Sequence, residues 1–276
     1  VQSFVYKDSR DGVSSMILSS QTIAAASFEE RVEAAAAAGF TGIGLRPRDY
    51  ARARAAGLTD GDLRALLAAH GLEVAEHQAL REWTAGPTAA EEELFAVADA
   101  LGGAYAIAIV ETLAEPEAAA EQLAHLAARA AEHGLVVALE FMPWSDVRDA
   151  TAAWELVRAC GHPSAGILVD SWHFFRGGGT LEELRSVPRE RIVAVHLADA
   201  DAQGVGTLLE DTISRRRVPG EGALPLVDFI RTLEAVGADV EVAVEVLSDE
   251  QRALPAREAA RRAADGARRV IASARD

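Results

Sequence analysis

Three short segments of this chain repeat one design. "AAAGFTGIGL" at 36–45, "AAHGLEVAEH" at 68–77 and "AEHGLVVALE" at 131–140 each run from an Ala-rich helical end, through a glycine, into an apolar strand. A glycine suits the left-handed position that ends a helix, so each copy reads as one αβ corner. From Met16 onward, apolar runs alternate with Ala/Glu/Arg-rich stretches. They predict strands near 16–20, 41–46, 72–78, 104–111, 135–141, 165–170, 191–197 and 240–246, with helices in the intervals and one after the last. Repeated strand–helix units are the pattern of helices around a parallel sheet, and eight of them favour a closed barrel over an open sheet. The expected fold is α/β, a single (β/α)8 TIM barrel over 16–276, with 1–15 as a polar N-terminal extension. His70 and His133 stand just before Gly71 and Gly134, where the negative end of a helix favours an imidazole, and read as helix-end residues.

Composition narrows the function classes. With 276 residues, half of them hydrophobic, the chain can bury a large core as one domain. A net charge of −16 opposes binding to phosphate backbones, and the longest basic cluster, Arg215 to Arg217, is too short for a nucleic-acid stripe. The lone Cys160 allows no internal disulfide, and no apolar stretch reaches membrane-spanning length. Nothing at the N-terminus reads as a signal peptide. These features fit a cytoplasmic protein with no nucleic-acid or membrane partner. No stripe identifies an oligomer interface, although a homo-oligomer is compatible with the fold.

The last four predicted strands each end in a potential metal ligand: Glu140 in "VVALEF", Asp170 in "GILVDSWH", His196 in "IVAVHLAD" and Glu245 in "EVAVEVL". Side chains alternate along a strand, so Ala138, Leu168, Ala194 and Ala243 share a face with these ligands, while Leu139, Val169, Val195 and Val244 face the other way. That register turns the four polar ends to the barrel axis at the C-terminal rim, where TIM-barrel chemistry takes place. Three carboxylates and an imidazole form an oxygen-rich set suited to one divalent ion, Mn²⁺ or Mg²⁺ first, with Co²⁺ or Zn²⁺ also possible.

Two further segments carry a resemblance. "DSWHFFRGGG" is similar to an Asp-x-x-His segment, and "RRRVPGEGALPL" to an Arg-x-x-Pro-Gly-x-Gly loop, of the sugar phosphate isomerase/epimerase group of xylose-isomerase-like barrels. This group includes ketose 3-epimerases, hydroxypyruvate isomerase, inosose dehydratase and metal-dependent 3-dehydroshikimate dehydratases. The resemblance runs from Met16 to the C-terminal helix. It implies metal ligation by Glu140, Asp170, His196 and Glu245, an acid/base role for Glu140 and Glu245, and substrate contacts from His173 and Arg216. A divalent ion on adjacent carbonyl and hydroxyl oxygens stabilises an enediolate while a carboxylate removes the proton alpha to the carbonyl. The implied activity is a metal-dependent isomerase or epimerase of a sugar-like hydroxy-carbonyl substrate. If a leaving group sits beta to the carbonyl, the same first step gives a lyase, by dehydration or by C-glycoside cleavage. A non-catalytic barrel subunit of a complex is the third reading. Where ketose 3-epimerases carry a second glutamate, six residues after the first, this chain has Asp146, which weakens the 3-epimerase version.

Secondary candidates lie at other strand ends. His77 and Glu111 close the third and fourth strands and are candidate substrate contacts, each with a plain hydrogen-bonding role at the rim as the alternative. Trp172, with Trp83 and Trp144, can wall the pocket, since aromatic faces stack on sugar C–H surfaces, or can pack between loops. Asp199 is either a support for an imidazole or a loop cap. Gly177 to Gly179 read as a turn. The interval from Asp199 to Gly222 is long for a βα loop and is expected to cover the substrate.

Overall fold

Eight parallel strands close on themselves in chain order: β1 (Met16–Leu18), β2 (Gly42–Leu45), β3 (Glu73–Leu80), β4 (Tyr105–Ile109), β5 (Val136–Glu140), β6 (Ala165–Asp170), β7 (Ile192–Leu197) and β8 (Val242–Val244). The computed structural model describes residues 15–113, 115–238 and 241–276, so the polar extension expected at 1–15 lies, except for Ser15, outside the described residues. Closure is direct, with Ile17 of β1 opposite Ala243 of β8. The (β/α)8 barrel expected from the repeats is the observed architecture.

The interior follows from the alternation of side chains. Ile17, Ala75, Tyr105, Ile107, Ala138, Leu168, Ala194 and Ala243 form a buried cluster inside the barrel. Leu139, Val169, Val195 and Val244 belong instead to the larger core between strands and helices. Alanine on the inner face of β5, β7 and β8 leaves room at the axis, and β-branched or larger residues on the outer face fill the helix layer. The register sets Asp170 opposite His196, while Glu140 is opposite Leu168 and His196 opposite Ala243, the two-residue stagger that tilted strands take in a closed barrel. Among the described residues the register shifts in three places, between Ile43 and Gly44, between His77 and Leu80, and between Ile167 and Leu168.

The three glycine corners form as the repeats predict. Gly39, Gly71 and Gly134 have φ of 74°, 66° and 76°, a region that residues with a Cβ avoid. His70 and His133 occupy the C-cap positions of the helices Asp60–Ala69 and Pro116–Glu132. Helix starts are marked by capping boxes, including Ser27 with Glu30 and Thr88 with Glu91. The insertion after β7 is closed at its base by paired backbone bonds between Asp199 and Arg217, and it contains a short helix, Leu208–Ser214. Among the described residues no helix is long and apolar enough to cross a membrane.

Candidate metal centre

Strand geometry alone brings the four expected ligands together. Glu140, Asp170 and His196 are the final inward residues of β5, β6 and β7, and Glu245 follows β8; one ligand atom from each lies within 4.8 Å of all the others. Metal–ligand bonds of about 2.0–2.3 Å span such a group after a small contraction. The buried donors point to an ion: Glu140 Oε1 and His196 Nδ1 are both buried without a hydrogen-bond partner. His196 Nδ1 lies 3.4 Å from Glu245 Oε2 and 3.9 Å from Asp170 Oδ2, so it faces the carboxylates across a gap. The donor set and its orphaned atoms fit a divalent cation.

Arg216 binds this group from the loop side. Its Nη1 donates to Asp170 Oδ2 at 2.7 Å and to Glu245 Oε2 at 3.3 Å, its Nη2 lies 3.2 Å from His173 Nε2, and Nε and Nη2 both donate to Thr212 Oγ1. Burial and the charge of Glu245 push the Glu140 carboxyl up to about 8. Burial also opposes charge on Asp170, but Arg216 overrides it and holds Asp170 below its ordinary range. For Glu245 burial is outweighed by His196, Arg216 and a Gln78 hydrogen bond, which hold it well below a usual carboxylate. His196 is raised well above an ordinary imidazole because Glu245 and Glu76 prevail over burial, whereas burial pushes His173 down to about 4. A cation here needs His196 Nδ1 unprotonated, so its binding releases a proton.

A ring of residues that sequence reasoning missed supports the ligands. Glu76 Oε2 lies 2.6 Å from His196 Nε2; Gln78 Nε2 donates to Glu245 Oε1 at 2.8 Å, and the Ser19 hydroxyl donates to the same oxygen at 2.9 Å. Thr212 fixes Arg216 from the insertion helix. Alternation alone would not have found Glu76 and Gln78: Val74 packs outside and Ala75 inside the barrel, and the register shift against β2 at this point turns Glu76 and Gln78 inward.

The same shift turns His77 away from the cluster, so of its two expected roles the structure shows the hydrogen-bonding one. Its ring is buried on the helix side of β3, with Nε2 2.8 Å from the Gly102 carbonyl oxygen, and a Cβ at Gly103 would overlap it. Glu111 is not brought to the cluster either: its side chain is 70% exposed and meets Arg81 at 3.5 Å. Trp83 is core, its indole N–H on the Ile109 carbonyl. Trp172 and His173 do join the site, on the helical turn Ser171–Arg176 that Asp170 caps. His173 Nε2 is 3.7 Å from Glu140 Oε1, and half-exposed Trp144 meets Trp172 and His173 edge to face. Arg216 lies over the Trp172 ring, 5.4 Å from its centre. Asp199 is a loop cap, accepting from the amides of Ala200, Gly220, Gly222 and Leu224. Asp146 accepts from the Leu113 amide and ties two rim loops.

Comparison with known proteins agrees with this architecture. A 3-dehydroshikimate dehydratase of Pseudomonas aeruginosa is 30% identical over 257 residues, covering 88% of this chain and 39% of its own length. An inosose isomerase of Bacillus velezensis is 29% identical over 157 residues, 56% of this chain and 55% of that protein. This chain thus spans about two fifths and about half of those two relatives, both of them enzymes. The IolI protein, solved with a bound zinc atom, superposes with a TM-score of 0.83 at 23% identity, covering 94% of this chain and 98% of its own, a likeness of fold. The sequence model of the xylose isomerase-like TIM barrel matches residues 32–270, and the chain belongs to that family.

Proposed function

We propose that this barrel is a divalent-metal-dependent isomerase or epimerase of a small, sugar-like hydroxy-carbonyl compound, acting by removal of the proton alpha to the carbonyl. The observation that carries the reading is the convergence of Glu140, Asp170, His196 and Glu245, one donor atom from each within 4.8 Å of the others, with Glu140 Oε1 and His196 Nδ1 buried and unpartnered. Two carboxylates, Glu140 and Glu245, on separate strands of one cluster are suited to taking a proton from one position and delivering one to another. The cation supplies Lewis acidity toward adjacent carbonyl and hydroxyl oxygens. Glu140, Asp170, His196 and Glu245 would hold it, with Mn²⁺ or Mg²⁺ favoured by the three carboxylates and Zn²⁺ kept open by the zinc-bound fold relative. Arg216 and His173 are the proposed contacts for substrate oxygens, and half-exposed Trp144 the proposed apolar face for a carbon skeleton, backed by the fully buried Trp172.

One observation favours a second reading. The similarity to the Pseudomonas aeruginosa dehydratase runs over 88% of the chain, against 56% for the inosose isomerase, and supports elimination of water after the same proton abstraction. Product mass separates the two. The metal-loaded protein is incubated with cyclic and open-chain keto-polyols and with 3-dehydroshikimate, and products are resolved by mass spectrometry. A product of equal mass supports the isomerase, and loss of one water supports the lyase. If the metal-loaded protein exchanged no alpha proton of any of these compounds with deuterium oxide, both would fall.

A further inference from the structure

We infer that Glu76 is a positioning residue for the metal centre, one carboxylate that fixes two of the four ligands at once and dictates that His196 presents Nδ1 to the cation. The role rests on the metal reading above and adds a residue that does not itself reach the ion. Glu76 is fully buried inside the barrel, and both of its oxygens are engaged. Oε2 receives His196 Nε2 at 2.6 Å and the Tyr105 hydroxyl at 3.0 Å, and Oε1 receives Gln78 Nε2 at 2.7 Å. A carboxylate offers only acceptors, so the short contact requires the proton of His196 on Nε2. In the neutral ring that a cation requires, Nδ1 then carries the lone pair, and it is the nitrogen that is buried without a hydrogen-bond partner and faces Asp170 and Glu245.

The second ligand is held through Gln78. Its amide oxygen accepts from the Ser20 hydroxyl at 2.7 Å, which settles the orientation of the amide, and its nitrogen reaches both Glu76 Oε1 and Glu245 Oε1. Glu76 therefore anchors the Gln78 amide that carries Glu245. β2 makes room for this arrangement. A Cβ at Gly44 would collide with the Glu76 carboxylate and approach the Ser20 amide to 2.8 Å, so Gly44 is required beside Glu76 rather than for its backbone angles. A histidine ligand whose far nitrogen is held by a carboxylate is a recurrent way to fix the tautomer and raise ligand basicity, and its loss costs about 10–100-fold in metal affinity.

The test measures binding of Zn²⁺ alone by calorimetry and reads the His196 ring by ¹⁵N NMR of the zinc-loaded protein. In the wild type, Nε2 carries the proton and Nδ1 the metal. Glu76→Gln lowers zinc affinity about 10–100-fold, and Gly44→Ala, which displaces the same carboxylate from the neighbouring strand, shifts affinity in the same direction. Zinc bound through Nε2 in the wild type would overturn the assignment without recourse to any variant. A folded Glu76→Gln protein with unchanged affinity would overturn it too. Should Glu76→Gln fail to fold, the wild-type spectrum and Gly44→Ala decide. A wild type that binds no ion would refute the metal reading itself, whereas binding indifferent to Glu76 refutes this role alone.

Discussion

The two halves of the barrel rim divide the labour of the site. β5 to β8 carry the four proposed ligands, and β1 to β4 carry groups that support them from across the barrel: Ser19 after β1, Gly44 in β2, Glu76 and Gln78 in β3, Tyr105 in β4. The ligand half has one register shift, between Ile167 and Leu168 where β6 pairs with β7, but the residues next to its donors alternate between interior and helix layer. The supporting half has two, at Ile43/Gly44 and His77/Leu80, and it brings long polar side chains into an interior that the other half lines with Ala138, Leu168, Ala194 and Ala243. Reactive groups can thus be displayed at strand ends while buried side chains on the strands opposite fix their orientation.

The comparison is broken most severely on the ligand half. Glu245→Gln is expected to lower turnover about 10²–10⁴-fold, as loss of a positioned acid/base group does, and to lower metal content measured by elemental mass spectrometry on folded protein. Retained turnover and metal would remove Glu245 from the site. Next comes Arg216→Met, which leaves Asp170 and Glu245 without their buried cation. Breaking a buried pair costs about 3–5 kcal/mol, to be read in urea unfolding of metal-free protein, with added metal recovering part of the loss.

A smaller effect concerns pH. Because the folded Glu140 is raised to about 8 by burial and Glu245, the folded state binds more protons than the unfolded one between the ordinary carboxylate range and about 8. Metal-free protein should therefore lose stability as pH rises through that window. Glu140→Gln removes the slope, so the variant gains on the wild type by about 1–3 kcal/mol between pH 5 and pH 8. Parallel curves would show that Glu140 is not strained in this way. On the supporting half, Gln78→Leu should cost about 1–3 kcal/mol, the penalty for stranding buried hydrogen-bond partners, and weaken metal binding without abolishing it. Complete loss of metal would erase the distinction between the halves. The least effect is expected at the exposed Glu111–Arg81 pair: Glu111→Ala changes stability by under about 1 kcal/mol and leaves KM unaltered. A rise in KM would bring Glu111 back as a substrate contact.

How much of this could be read from the chain follows the same division. The glycine corners and eight alternations made the barrel legible, and the alanines two residues before Glu140, His196 and Glu245 made the inward face legible, because both depend on local geometry. Glu76 was hidden beside a more conspicuous neighbour. His77 drew attention as an imidazole at a strand end, yet its face is set by pairing with β2 and β4 across the register shifts, which no local pattern encodes. Thr212 was hidden for another reason. It reaches Arg216 only because the insertion folds into a helix, a tertiary event rather than a periodic one.

That insertion has the shape of a bulb on a neck. Asp199 and Arg217 are stitched backbone to backbone, and the Asp199 carboxylate gathers the amides of Gly220, Gly222 and Leu224, so both ends of the segment are clamped independently of what lies between them. Because the cost of closing a loop grows only logarithmically, doubling the length of the bulb adds roughly 0.6 kcal/mol. The barrel can therefore exchange Ala202 to Gly206, ahead of the helix that carries Asp211 and Thr212, as a cassette. Relatives of one scaffold can alter this segment without reworking the clamp beneath it.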